Sequence, residues 1–336
     1  MKFSKSLIAA VLMPLLLTTA TACGGGSGSA ATTAGGLTEV KVSPDWIAPD
    51  ITWLPYTIGI SNGFYKDAGL QVTLVPPPDN SSSVKLVASG QADIAETTVT
   101  DQMFAAKEGL PVISIGNLSQ TNNWGFFTAT GQKITGAELK GKRVGVFDDA
   151  WTKAMLGVVL KSAGLTTKDI QQITATDGDV PLLLAKKIDV ATNTTNFAVP
   201  QYVQQTGNQP ETLLATAAGA PDVPLWNYAG NKQWLQKNPE LAKKWLAATA
   251  KATDWAMANP EAAVKAYEAY HKLKDSGYAV DLGEWKATIP LLKGSSGFFT
   301  ATDAQWSQLG QALKDAGQLD QVLQPSEYYT NQYVGQ

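Results

Sequence analysis

The order of strand-like and helix-like segments constrains the fold more than any other feature of this sequence. Short runs with alternating apolar residues are typical of strands, and runs with apolar residues three or four apart are typical of helices. The predicted strands are residues 39–43, 71–75, 93–95, 112–116, 143–147, 170–174 and 188–191, and the predicted helices between them are 58–65, 81–88, 101–108, 153–163 and 180–185. Strands that alternate with helices favour a largely parallel α/β sheet.

Beyond Pro224 the pattern changes to long helical segments at residues 239–258, 260–272 and 303–316. Pro260 fits the first turn of a helix, where its missing N–H costs little. Two α/β series followed by helices predict two lobes, with the helical tail returning to the first lobe. We expect the ligand site in the cleft between the lobes, since pockets favour domain interfaces and the carboxyl ends of parallel strands.

The N-terminal segment, residues 1–22, has the layout of a secretory signal. Lys2 and Lys5 precede an apolar run at residues 7–17, and small residues at 20–22 lead directly to Cys23. The apolar run is shorter than the roughly 20 residues that a membrane-spanning helix needs. We therefore exclude this segment from the fold.

Cys23 is the only cysteine in the sequence, and its position after the small residues resembles a bacterial lipoprotein box. This resemblance predicts lipidation of Cys23 and an anchor on the extracytoplasmic face of the membrane. The alternative is an ordinary signal peptide cut elsewhere. Residues 23–36 contain no large apolar side chain after the cysteine and are expected to form a flexible tether.

Composition narrows the classes of partner and chemistry. The formal net charge of -3 argues against a nucleic-acid partner. His271 is the only histidine, so neither a His/Cys metal cluster nor a histidine-based catalytic triad is expected. We expect no cofactor and no metal.

Four motifs resemble one branch of the ABC-importer solute-binding proteins, which includes binders of thiamine pyrimidine precursors, riboflavin and aliphatic sulfonates. They are NGFYKDAGL at 62–70, KLVASGQADIA at 85–95, EGLPV at 108–112 and LKGKRVGV at 139–146. Asp45-Trp46, together with Val75 followed by two prolines, is most similar to the pyrimidine-precursor binders.

The resemblance implies a two-lobed periplasmic-binding-protein type II fold with two crossovers, near residues 116–127 and 221–228, and a helical C-terminal tail. On this basis residues 37–117 form the first part of lobe 1 and residues 118–225 form lobe 2. Residues 226–336 return to lobe 1 and form the tail.

The resemblance also implies partners: a small-molecule ligand and an ABC permease, with the binding protein as a monomer. Fungal relatives of this fold make the thiamine pyrimidine with His and Cys residues together. Because this chain has only His271 and a Cys23 assigned to lipid, we expect that it is not an enzyme.

The same family places the tryptophan of the Asp-Trp motif in the ligand cleft, which makes Trp46 a candidate binding residue. Packing of a strand end against a helix is the alternative role for Trp46. Trp53 and Thr57 replace the His and Tyr that usually follow this motif in the pyrimidine binders. Trp53 is therefore a second candidate, and the ligand can differ from a pyrimidine precursor.

Polar side chains follow the predicted strands of both lobes. Glu96 could hold an amine by a charge-assisted hydrogen bond, and Thr97 could add a hydroxyl contact. The alternatives are an exposed loop charge and a helix cap. Asp148 and Asp149 follow the strand at 143–147, where relatives that bind anions often carry Ser, Gly or Thr.

Two carboxylates at that position would repel a phosphate or sulfonate, so they favour a neutral or cationic ligand. Further candidates along the same cleft are the aromatic residues Trp124, Trp151, Trp226 and Tyr228 and the amides Asn193 and Asn196. The aromatic residues could form a cage for a heteroaromatic or cationic ligand, or they could be core. The amides could equally serve turns and helix caps.

These features predict an extracytoplasmic solute-binding lipoprotein of an ABC importer. It would capture a small heteroaromatic ligand, such as a thiamine pyrimidine precursor or a related nitrogenous compound, by closure of its lobes. The alternative ligands are an aliphatic sulfonate, riboflavin or another aromatic solute. The less favoured alternative function is an enzyme similar to the pyrimidine synthases.

Overall fold

The computed structural model describes residues 35–176, 178–273 and 277–335. The predicted signal segment, Cys23 and most of the predicted tether lie outside the described residues. Within the described part of the chain, no helix is both long and apolar enough to cross a membrane.

The described strands form three sheets. Their bounds are β1 Thr38–Ser43, β2 Leu70–Leu74, β3 Ile94–Thr98, β4 Val112–Asn117, β5 Trp124–Thr128, β6 Arg143–Val146, β7 Gln171–Thr174, β8 Ala191–Thr194, β9 Glu211–Leu214 and β10 Trp226–Asn231. The first sheet has the order β2-β1-β3-β10-β4. The other two sheets, β8-β5-β9 and β6-β7, together make up a second sheet region. A bridge between Val144 and Val190 joins the two parts of the second region.

The helices flank these sheets and dominate the C-terminal third of the chain. Their bounds are α1 Leu54–Ser61, α2 Phe64–Asp67, α3 Ser83–Ala88, α4 Val99–Lys107, α5 Ala150–Ser162, α6 Asp179–Leu184, α7 Thr195–Thr206, α8 Lys232–Lys237, α9 Pro239–Ala258, α10 Pro260–His271, α11 Tyr278–Leu292, α12 Asp303–Asp315 and α13 Pro325–Tyr328.

The chain passes between the two sheet regions twice. It leaves the first sheet after β4, builds β5 to β9, and returns with β10, which pairs antiparallel with both β3 and β4. The expected α/β architecture with two crossovers and a helical tail is therefore present. We call the first sheet with its helices lobe 1 and the β5 to β9 region lobe 2; the exact residue limits of the lobes stay a prediction.

Three local differences from the predicted elements have clear causes. Gly63 has a φ of +82°, a backbone conformation that ends α1 and begins α2, so the predicted helix at 58–65 is two helices. Pairing with β10 extends β3 to Thr98, beyond the predicted end at residue 95. The predicted strand at 188–191 is shifted to β8, because residues 191–194 pair antiparallel with β5.

The helical tail contacts both lobes. In lobe 1, the Tyr65 hydroxyl of α2 lies 2.8 Å from Thr249 Oγ1 of α9. In lobe 2, Asn196 Nδ2 of α7 donates to Thr288 Oγ1 of α11 at 3.0 Å. Gln318 also donates to the Ala154 carbonyl of α5 at 3.0 Å. The tail therefore braces lobe 2 as well as lobe 1, which the sequence pattern did not predict.

Candidate functional site

A cavity of about 520 Å³ lies where the carboxyl ends of parallel strands from both lobes meet. Asp45 and Trp46 follow β1, Thr98 ends β3, Asp149 follows β6, and Gly178 follows β7. The helical tail closes one side. The lining residues are Asp45, Trp46, Pro49, Asp50, Ile51, Asn80, Thr98, Trp124, Phe147, Asp149, Trp151, Thr152, Thr176, Gly178, Asp179, Asn193, Thr194, Phe197, Gln201, Leu225, Trp226, Tyr267, Leu273, Val280, Asp281 and Glu284.

Aromatic side chains from both lobes form much of the cavity wall. Trp46 of lobe 1 meets Phe147 of lobe 2 edge to face, with ring centroids 6.1 Å apart. Trp226 and Phe197 form a second edge-to-face pair across the crossover, at 6.5 Å. Such rings offer large flat contact surfaces to a planar ligand.

Carboxylates are the other main feature of the wall. Six line the cavity: Asp45, Asp50, Asp149, Asp179, Asp281 and Glu284. Among the described lining residues there is no Lys, Arg or His. The cavity is therefore strongly acidic.

Burial changes the titration of these carboxylates. Loss of hydration raises the pKa of Asp50 and of Asp179 to about 6 in each case, and it raises the pKa of Glu284 to about 8. Burial is the main cause that raises the pKa of Asp45 well above its ordinary value, and repulsion from Glu96 is the second cause. The cavity carboxylates therefore bind protons more readily than exposed carboxylates do, and a nearby positive charge would favour their ionised form.

Several polar atoms of the cavity residues lack hydrogen-bond partners within the described residues. They include Asp45 Oδ1, Asp179 Oδ2 and the indole nitrogens of Trp124 and Trp151. All four side chains are more than nine-tenths buried. Since buried polar groups are normally hydrogen-bonded, these atoms mark positions where a ligand can supply donors and acceptors.

Half of the binding residues predicted from the sequence line this cavity. They are Trp46, Trp124, Asp149, Trp151, Asn193 and Trp226. Each lies within three residues of a strand end, apart from Trp151, which lies in the first turn of α5. Their contact with a ligand stays a prediction.

Glu96 and Thr97 do not line the cavity, because β3 is longer than predicted and contains both residues. The Glu96 side chain is fully buried beneath the site and accepts a hydrogen bond from the Tyr56 hydroxyl. Burial raises the pKa of Glu96 to about 8. Tyr228 pairs with Glu96 in the sheet and packs against Trp245, with ring centroids 4.8 Å apart.

The other predicted residues outside the cavity have separate structural roles. Trp53 is buried edge-on against His271, at 5.5 Å between ring centroids. Asp148 points to solvent and forms an ion pair with Lys153. Asn196 is buried and accepts a hydrogen bond from Asn123 at 2.7 Å.

Sequence reasoning missed most of the cavity carboxylates. Asp179 follows the predicted strand 170–174 and begins α6, so the rule that singled out Asp149 also applies to it. Asp50 lies beyond the Asp-Trp motif and is the N-cap of a short 3-10 helix, Ile51–Trp53. Asp281 and Glu284 come from α11, a helix that was not predicted, and no local signal links them to the cleft.

Among the described residues, no group of three or more His, Cys, Asp or Glu side chains is arranged to hold a metal ion. The described cavity carboxylates therefore do not form a metal-binding group.

The fold is that of the periplasmic binding proteins. The aliphatic sulphonate binding protein SsuA of Escherichia coli superposes with a TM-score of 0.69 at 14% identity, covering 88% of this chain and 99% of that protein. The predicted two-lobed fold is confirmed.

The curated relatives change one prediction. A protein of Haemophilus influenzae named for thiamine biosynthesis is 24% identical over 86% of this chain and 91% of its own length. The 4-amino-5-hydroxymethyl-2-methylpyrimidine phosphate synthase of Aspergillus parasiticus is 25% identical over 83% of each chain. Because that relative is named as an enzyme, the prediction that this chain is not an enzyme is wrong.

One family model matches residues 51–263, which run from α1 into the first turn of α10 and contain most of the cavity wall. The match agrees with the motifs at residues 62–70 and 85–95 and with the two-lobed architecture. The chain belongs to the NMT1/THI5-like family.

Proposed function

We propose that this chain is the extracytoplasmic solute-binding lipoprotein of an ABC importer, and that it captures a small heteroaromatic, nitrogen-containing ligand. A thiamine pyrimidine precursor or a related compound is the proposed class. The observation that carries the proposal is the cavity of about 520 Å³ between the lobes, with Trp46, Trp124, Trp151 and Trp226 in its wall. Its size suits a ligand of one or two rings.

The arrangement of the wall favours capture by lobe closure. Trp46 and Asp45 belong to lobe 1, whereas Trp151 and Asp179 belong to lobe 2. A ligand that contacts both sets stabilises the closed form over the open form, which is the requirement for ligand-driven closure. The closed form would then dock on a permease.

The anchor is the second part of the proposal. Lipidation of Cys23 would hold the protein at the membrane, and residues 24–36 would give it reach. Two or more acyl chains are needed for stable attachment, because one chain binds only marginally. Replacement Cys23→Ser should move the protein from the membrane fraction to the soluble fraction, and retention in the membrane would contradict the anchor.

The charge of the wall argues against the sulfonate alternative. An anion in this cavity would meet Asp45, Asp149 and Asp179 without a lining cation among the described residues. Riboflavin and other neutral aromatic solutes are compatible with the wall, so they stay in the proposed ligand class.

A thermal-shift screen of the Cys23→Ser protein tests the binding role. The screen should contain pyrimidines, flavins, aromatic amines, taurine and alkanesulfonates, because a ligand of the native state raises the melting temperature. We expect stabilisation by a nitrogenous aromatic compound. Stabilisation by sulfonates alone would contradict the proposed ligand class, and stabilisation by none of them would contradict the binding role.

A synthase is the second candidate function, favoured by the names of the curated relatives. Expression of residues 37–336 in the cytoplasm of a strain that cannot make the thiamine pyrimidine separates the two. Growth without added pyrimidine would favour the synthase. Failure to grow, with a folded protein that binds its ligand, would favour the transport role.

A further inference from the structure

The acidic cavity lacks a counter-charge within the described chain. Ion pairs such as Arg143–Asp189 and Lys153–Asp148 lie outside the wall, and none of the ion pairs found among the described residues includes a cavity carboxylate. Ionisation of a buried carboxyl without a cationic partner is costly, so a positive charge that enters the cavity stabilises the ionised carboxylates around it.

A metal ion does not fit this distribution, because no described group of three or more such ligands is arranged to hold one. The cavity is also far larger than a single ion, at about 520 Å³, and aromatic rings line it together with the carboxylates. Aromatic faces attract organic cations through the ring quadrupole. The wall is therefore suited to a charged ligand with a flat body.

Unsatisfied atoms add a second, independent indication. Asp45 Oδ1 and Asp179 Oδ2 accept no hydrogen bond from described residues, and their side chains are only 7% and 1% exposed. The indole N–H groups of Trp124 and Trp151 likewise have no described acceptor. A ligand that satisfies all four carries donors for the carboxylates and an acceptor for the indoles.

Resting on the solute-binding function proposed above, we propose that the ligand is an organic cation. It has an aromatic or heteroaromatic ring and an acceptor group, and the carboxylates of Asp45 in lobe 1 and Asp179 in lobe 2 stabilise its positive charge. Binding of one cation by both lobes also offsets the repulsion between their carboxylates, so the charge itself promotes closure.

Matched probes that differ only in charge test this inference by titration calorimetry of the Cys23→Ser protein. The first pair is 1-methylnicotinamide and the uncharged 3-methylbenzamide, which share shape and carboxamide. The second pair is benzylammonium and benzyl alcohol, and benzenesulfonate is the anionic probe. We expect each cation to bind at least about tenfold more tightly than its neutral partner, since hydrogen bonds and contacts to charged groups are the stronger ones.

Variants that remove one carboxylate charge test which side chains stabilise the bound cation. Asp45→Asn and Asp179→Asn should each weaken the cations about tenfold and leave the neutral probes within about twofold. Asp148→Asn is the matched control, because Asp148 is an exposed neighbour of the cavity residue Asp149 and lies outside the wall. It should change neither class of probe.

The inference is overturned if the neutral probes bind as tightly as the cations, if neither cation binds at millimolar concentration, or if both variants keep the full preference. If only the neutral probes or only benzenesulfonate bind, the ligand is not a cation, but the solute-binding function still holds. The binding role itself fails only if no solute in the broad thermal-shift screen stabilises the chain.

Discussion

Asp149 Oδ1 accepts a hydrogen bond from the backbone N–H of Thr152 at 2.7 Å, and the same carboxylate lines the cavity. Asp149 is the N-cap of α5, the helix whose first turn carries Trp151. The cap fixes the start of the helix and with it the position of the Trp151 ring. The position of Asp149 after a strand predicted a ligand contact alone, whereas the structure gives Asp149 a structural role as well.

The capping role predicts a difference between two variants. Asp149→Asn keeps a good cap, but Asp149→Ala loses it, so the Ala variant should be less stable than the Asn variant by about 1 kcal/mol. Urea denaturation of the two proteins measures this difference. The exposed Asp148 provides the control, since Asp148→Asn and Asp148→Ala should agree within about 0.5 kcal/mol. Equal stability of the two Asp149 variants would contradict the cap.

The buried carboxylates predict that the ligand-free protein becomes less stable as the pH rises from 6.5 to 8. Burial raises the pKa of Glu96 and of Glu284 to about 8 in each case, above the ordinary value of 4.5. A raised carboxyl pKa contributes stability at low pH, and this contribution is lost as the pH rises through the folded-state pKa. We expect a loss of roughly 1–3 kcal/mol over this window, measured by denaturation at each pH.

His271 does not mask this trend. Burial lowers the pKa of His271 to about 4, so its contribution to stability is fully present above its ordinary value of 6.5 and is lost only at lower pH. Glu284→Gln should flatten the pH dependence between 6.5 and 8. A wild-type stability that is constant or rises over this window would contradict the assignment of buried, proton-binding carboxylates.

Asn196 gives a prediction that separates structural from ligand-binding roles. Its amide links Asn123 of lobe 2, at 2.7 Å, to Thr288 of the tail, at 3.0 Å. Asn196→Ala should lower the free energy of unfolding by about 2 kcal/mol, because it leaves buried polar groups without partners. Gln205→Ala, on the exposed face of the same helix, should change it by less than about 0.5 kcal/mol. A stable Asn196→Ala protein with weakened ligand binding would reverse this assignment.

The tryptophans of the wall predict an optical signal of binding. A ligand in the cavity contacts Trp46, Trp124, Trp151 or Trp226, so it should change the intrinsic fluorescence. Trp46→Phe should reduce the amplitude of the change. Trp306→Phe should not, because Trp306 stacks on Tyr328 in the tail, away from the wall. Equal effects of Trp46→Phe and Trp306→Phe on the fluorescence change would indicate that the ligand binds outside the cavity.

Short-range patterns in the sequence predicted the order of strands and helices. The predicted helix at 239–258 matches α9 Pro239–Ala258, because prolines mark the starts of both α9 and the next helix. The antiparallel strand β10 was not predicted. Its place depends on pairing of Tyr228 with Glu96, residues far apart in the chain, and this pairing also moves Glu96 from a strand end into the core.

Site residues were predictable from the sequence where they come at or shortly after the carboxyl end of a predicted strand. That rule selected Asp149 and Asn193, which line the cavity wall, and applied to β7 it also leads to Asp179. Trp46 was selected by the family resemblance of the Asp-Trp motif. Glu284 was not predictable in this way. It reaches the wall from α11, whose position is set by packing against α7 rather than by any local pattern.

A crystal structure of the protein with the solute that stabilises it most tests directly whether the cavity between the lobes is the binding site. We expect one ligand between the lobes, in contact with Trp46 of lobe 1 and with Trp151 or Asp179 of lobe 2. A ligand bound outside this cavity, or in contact with only one lobe in a closed form of the protein, would contradict this expectation.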